Sequence, residues 1–143
     1  MAEEAVRQER LDDAERRYRE VIEQAAGAAD EGLPVARAID GLADLCRDRG
    51  RLSEAALLYE RSAAMWERLL GPGQPRLAVT QHNLGAVYLS MGKLQQAEER
   101  FLGALAIWEE VYGRDSPQAE NSRRALRALA AEGASPQGPA LVE

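Results

Sequence analysis

Apolar residues recur along most of the chain at spacings of three and four, which predicts amphipathic helices rather than strands. Between Pro75 and Gly92, Val79, Leu84, Val87 and Tyr88 define one helical stripe. After "SMGKL", a second stripe runs through Ala97, Phe101, Ala104, Leu105, Trp108 and Val111. Gly92 and Gly113 are placed to end these helices in a left-handed conformation. In "RDSP", Ser116 is positioned as an N-cap and Pro117 as a first-turn residue. The same plan occupies Pro34 to Gly71, with "DRGRLSEA" as the turn and Ser53 as its candidate cap.

The pattern repeats. A shift of 42 residues superposes Leu42 on Leu84, Gly50 on Gly92, Leu52 on Leu94, Ala55 on Ala97 and Tyr59 on Phe101. It also superposes Trp66 on Trp108, Gly71 on Gly113 and Pro75 on Pro117. The matched positions are those that turn the chain or fill an interior, which marks a structural unit laid down twice. Small residues at Ala43/Gly85 and Ala55/Ala97 fall where two helices approach closely. Both tryptophans extend the apolar stripe of a second helix, which predicts packing against the neighbouring unit rather than ligand stacking.

Length and composition agree with this reading. The chain has 143 residues, long enough to bury a core, with 45% hydrophobic but only 5% aromatic residues. Formal net charge is −6, from 18 basic and 24 acidic residues, which disfavours a nucleic-acid backbone or an anionic membrane as main partner. No apolar stretch approaches the ~20 residues of a membrane span, and "MAEEAVRQER" lacks the apolar centre of a signal peptide. With Cys46 alone there is no internal disulfide. A cytoplasmic protein is expected.

No catalytic or metal-binding pattern emerges: there is no phosphate-binding glycine loop, no HExxH and no ligand cluster. Cys46 stands at the register position of Tyr88, so a buried inert thiol is expected, out of reach of His82. The runs "DDAERRYRE" and "EERF" place opposite charges three and four apart, as on solvated helical faces. Neither enzymatic chemistry nor a cofactor is expected.

The segment "LGAVYLSMGKLQQAEERFLGALAIWEEVYG" resembles the tetratricopeptide repeat, in the 42-residue form of kinesin light chains, through Leu84, Gly85, Tyr88, Gly92, Ala97, Phe101, Ala104, Ile107 and Glu109. The first unit departs at Cys46 and Ser62, which replace Tyr88 and Ala104. "ERLDDAERRYREVIEQA" is similar to the second helix of an earlier repeat, with Ala14 and Tyr18 in register. Arg10 there replaces the turn glycine, leaving open a continuous N-terminal helix.

The resemblance implies an all-α, right-handed solenoid of antiparallel helix pairs. Its expected parts are a partial repeat at 1–33, repeats at 34–75 and 76–116, a capping helix at 117–131 and a disordered tail at 132–143. Arg127 at a small-residue position gives that last helix a wet outer face. The resemblance also implies a non-enzymatic module that binds a peptide or protein segment in a concave groove lined by first helices. The lining expected in the first repeat is Arg37, Asp40, Asp44 and Arg47. In the second it is Val79, His82, Asn83, Ala86 and Ser90, and in the last helix Asn121 and Arg124. Asn83 matches the asparagine that such repeats use on a peptide backbone, whereas Gly41 stands at that position one repeat earlier. The alternatives are self-association through incomplete terminal repeats, with Val6, Leu11 and Val21 seeking cover, or a piece of a larger regulatory repeat protein.

Overall fold

The computed structural model describes residues 1–26 and 32–133. Among the described residues there are six helices: α1 (Ala2–Ala25), α2 (Leu33–Asp48), α3 (Leu52–Leu70), α4 (Pro75–Ser90), α5 (Leu94–Tyr112) and α6 (Pro117–Gly133). No strand occurs among the described residues. The chain divides into two compact units, residues 1–69 and 70–143. Residues 134–143, the greater part of the expected tail, lie outside the described residues; Glu132 and Gly133 still belong to α6.

In the first unit, α1 runs through Arg10 without a break, consistent with the missing turn glycine. α2 begins at a Gly-Leu-Pro entry, with proline in the first turn, where its absent N–H costs nothing. At the end of α2 the Arg51 amide bonds to the Cys46 carbonyl at 2.8 Å and the Gly50 amide to the Arg47 carbonyl at 3.0 Å. Gly50 has φ +78°, a value that side chains with a Cβ resist. The turn after α4 repeats this geometry, with Lys93 bonded to Tyr88, Gly92 to Leu89, and φ +76° at Gly92. This doubly bonded, left-handed helix end satisfies carbonyls that would otherwise be orphaned. Ser53 is not a cap: α3 starts at Leu52, so Ser53 lies one residue inside it.

The interior of the first unit is made by Val35, Ile39, Leu42, Ala43 and Cys46 of α2 and by Ala55, Tyr59, Ala63 and Trp66 of α3. In the second unit Ala97, Phe101 and Leu129 form a buried cluster, with Tyr88, Leu89, Leu94, Ala125 and Leu126 packed around it. Two residues expected on apolar stripes turn outward, Val79 (38% exposed) and Val111 (43%). Both indoles are buried.

Ser116 caps α6: its Oγ accepts from the Ala119 amide at 3.1 Å, and Pro117 follows at the first helical position. Ser116→Ala is expected to lower stability by about 1 kcal/mol, read as a shifted urea midpoint with an unchanged slope. Arg123 fixes the other side of this joint. It reaches Glu109 of α5 at 3.2 Å, Glu120 at 3.3 Å and the Arg114 carbonyl of the connecting loop.

Candidate interaction face

The first helix of each repeat presents a row of positions spaced by four, three and four, which fall within a narrow sector of one face. On α4 this row is Val79, Asn83, Ala86 and Ser90. Val79 and Ser90 are exposed, and Asn83 is half-buried between them. Ala86 is also half-buried, its inner side packed on the Phe101 cluster. α6 touches α4 within the same unit and adds exposed Asn121 and Arg124. These six residues offer two amides, a hydroxyl and small or apolar surface, with Arg124 the only charge in the set. Amides donate and accept together, so this chemistry suits a peptide main chain.

His82 lies at the edge of the row and leans inward. Its ring packs 5.3 Å from that of Phe101, tilted by 57°. Burial holds its pKa below the usual histidine value, and Nδ1 is buried without a partner among the described residues. A neutral imidazole in the α4–α5 contact is therefore its state near neutral pH.

The first unit differs from expectation. Asp40 does not line a solvent-facing surface: it is 3% exposed. Its carboxylate accepts from Ser62 Oγ and, at 2.9 Å, from Trp66 Nε1. Asp44 is half-buried and accepts from the Tyr59 hydroxyl. Burial and that hydrogen bond raise the Tyr59 pKa far above its ordinary value. Arg47 is half-buried beside Asp48 at 3.5 Å and Asp44 at 4.0 Å. Only Arg37 is fully exposed as expected. Applying the 42-residue register to the α4 row gives Arg37, Gly41, Asp44 and Asp48 instead. Gly41 is covered, because a Cβ there would overlap the Tyr18 ring of α1.

The physical reason lies in two polar sets that join α2 to α3. Their register equivalents in the second repeat are apolar or aromatic. Asp44 and Tyr59 correspond to Ala86 and Phe101, whereas Asp40 and Ser62 correspond to His82 and Ala104. The hydroxyl donors Ser62 and Tyr59 appear with their acceptors in one repeat and disappear with them in the other, while the Trp66 indole persists as Trp108. That paired change was the available signal for reading Asp40 as interior and Asp44 as tied to α3.

A second cluster was missed. Glu15 of α1 meets Arg19 at 3.1 Å, Arg49 at 3.3 Å and also Arg51. The Arg51 hydrogen bond is the largest influence holding the Glu15 pKa below the usual carboxylate value, with Arg19 adding to it against the effect of burial. Sequence showed only the local part of this network, the Glu15–Arg19 spacing.

Nothing in these arrangements supplies reactive chemistry. Burial pushes the Cys46 thiol up to about 11, with nearby Glu54 adding to the effect, so it is a poor nucleophile. No group of three or more metal-binding side chains occurs among the described residues. No described helix is long and apolar enough to cross a membrane.

Helix pairs repeated every 42 residues, joined by left-handed glycine turns, define a helical-repeat protein. Models of the tetratricopeptide repeat match residues 35–76, 58–102 and 76–132. The chain belongs to the tetratricopeptide repeat family, and its repeats are of the kinesin-light-chain-like kind. It is 32% identical over 87 residues to Protein KINESIN LIGHT CHAIN-RELATED 2 of Arabidopsis thaliana. That match takes in 61% of this chain but 13% of the relative. Among solved structures it resembles BtubC (BKLC) from P. vanneervenii, with a TM-score of 0.78 at 21% identity over 88% of this chain and 50% of that one. A putative kinesin light chain from Podosopora anserina, with nearly identical TPR-like repeats, gives 0.67 at 20% identity, covering 90% and 69% respectively. At these identities the structural matches establish the fold alone.

Proposed function

We propose that the chain is a non-enzymatic adaptor that binds an extended peptide or protein segment along the first-helix face of its second unit. The observation that carries this reading is the α4 row of Val79, Asn83, Ala86 and Ser90, with Asn121 and Arg124 exposed on α6, which touches α4. It joins small residues, which let a backbone approach, to amides able to pair with it. Arg124 favours a carboxylate on the bound segment. Affinity of about micromolar is expected, since a short face fixes few groups and association itself is costly. A cytoplasmic setting fits this reading.

The test is peptide display against the folded chain, followed by titration of the recovered peptides. Asn83→Ala and Arg124→Glu should each weaken binding about tenfold, equivalent to about 1.4 kcal/mol. Melting temperature should fall by no more than a few degrees, since neither side chain is buried. Unchanged binding in both variants would remove the reading; loss of fold would reassign the residues to packing. Self-association is the second reading, favoured by Val6 and Val21, which α1 leaves 48% and 39% exposed. Light scattering at high concentration separates the two.

A further inference from the structure

α1 is bound to the first unit differently from its other helices. α2 buries eight of its residues and α3 seven, whereas α1, the longest helix at 24 residues, buries none. Its apolar contribution is limited to half-buried side chains such as Leu11, Tyr18 and Ile22. Ion pairs add a second hold. Glu15 gathers Arg49 and Arg51 from the α2–α3 turn together with Arg19 of its own helix. Arg49 also reaches Asp12 at 2.6 Å and the Gln8 carbonyl at 3.4 Å, and Arg19 reaches Glu54 of α3 at 3.1 Å. One turn from Glu15, the Tyr18 ring fills the space left by the absent side chain of Gly41.

We propose that α1 is a releasable strap, clamped through Glu15, whose departure leaves α2 and α3 folded and uncovers a seat for another helix. The seat defines its occupant by what α1 presents: a carboxylate and an aromatic ring three residues apart on one helical face. The carboxylate meets Arg49 and Arg51, and the ring enters the gap at Gly41. Two physical differences separate strap from repeat. Partly exposed ion pairs are weakened by salt, because the screening length falls from ~10 Å at 0.1 M to ~3 Å at 1 M. The side chains between α2 and α3 are buried, the Asp40 hydrogen bonds among them, and screening by salt has little hold on buried groups. The least buried segment is also the one expected to open first.

Hydrogen exchange on the full chain tests this. In about 0.05 M NaCl, Glu15→Gln should raise exchange of α1 amides about tenfold while α2 and α3 amides stay unchanged. Gln keeps nearly the same helix propensity as Glu, so lost protection reports the clamp rather than an intrinsically weaker helix. Raising NaCl to about 1 M should raise α1 exchange at least as far in the parent chain, with a smaller further rise in the variant, where the Arg49–Asp12 and Arg19–Glu54 pairs remain. Gly41→Ala is the independent arm, since its Cβ displaces Tyr18 with every charge in place.

A synthetic peptide of residues 2–25 should bind the Glu15→Gln chain more tightly than the parent, whose own strap competes. The proposal is overturned if α1 exchanges only together with α2 and α3 in every variant. It is equally overturned if the peptide binds neither chain, or binds the Gly41→Ala chain as well as the others.

Discussion

Phe101→Ala should cost about 3–5 kcal/mol, the range for removing a fully buried aromatic ring. For a chain of this length that corresponds to a fall in melting temperature of about 10–15 °C. The ring is 1% exposed and sits at the centre of the second unit, against Ala97 of its own helix and Leu129 of α6. Its other side covers Gly85 of α4, where an added Cβ would lie 2.8 Å from the ring. Because Gly85 has no side chain to move inward, the hole left by the ring cannot readily collapse. The loss therefore belongs at the upper end of the range. Gly85→Val in the parent chain is destabilising for the complementary reason, overpacking. Combined with Phe101→Ala, the valine fills space instead of clashing, and the double variant should be more stable than the sum of the two losses predicts. Simple additivity would show that ring and glycine do not share one site.

Much of this was legible beforehand, because the strongest constraints are local and recur. A left-handed turn selects glycine at Gly50 and Gly92, and a capped helix start selects Ser-Pro at Ser116 and Pro117. A 42-residue period read through such punctuation locates the helices to within a residue or two. Ser53 shows the limit: a capping residue type near a helix start is not evidence of the cap position, and the start lies at Leu52.

The interaction face was legible only in part. Helical spacing places Arg37, Asp40, Asp44 and Arg47 on one broad face, yet Asp40 is turned far enough round the axis to point at α3. A side chain that is charged in isolation reads as solvent-facing unless its donors are found, and Ser62 and Trp66 lie 22 and 26 residues away. The clamp at Glu15 escaped notice for the same reason, since Arg49 and Arg51 are 34 and 36 residues distant. Like residues at like register were visible across the repeats; compensating exchanges of unlike residues had to be read as sets.

Asp40 is accordingly where the largest polar effect is expected. Asp40→Ala removes the acceptor used by both Ser62 Oγ and Trp66 Nε1. Two hydrogen bonds to a carboxylate at about 1.5–3 kcal/mol each give an expected loss of about 3–6 kcal/mol. Ser62 keeps its contact to the Tyr59 carbonyl at 3.2 Å. Asp40→Asn retains an acceptor oxygen for one donor and should cost less, about 1–2 kcal/mol. If Asp40 instead acted as a solvent-facing ligand contact, Asp40→Ala would leave the urea midpoint unchanged and alter only peptide binding. The decisive comparison adds Ser62→Ala, the residue found at the equivalent position of the second repeat. The cost of Asp40→Ala should shrink in that background, because the Ser62 donor is already absent. An undiminished cost would show that Ser62 contributes nothing to it, and Trp66→Phe in the same cycle would then measure the share of the indole.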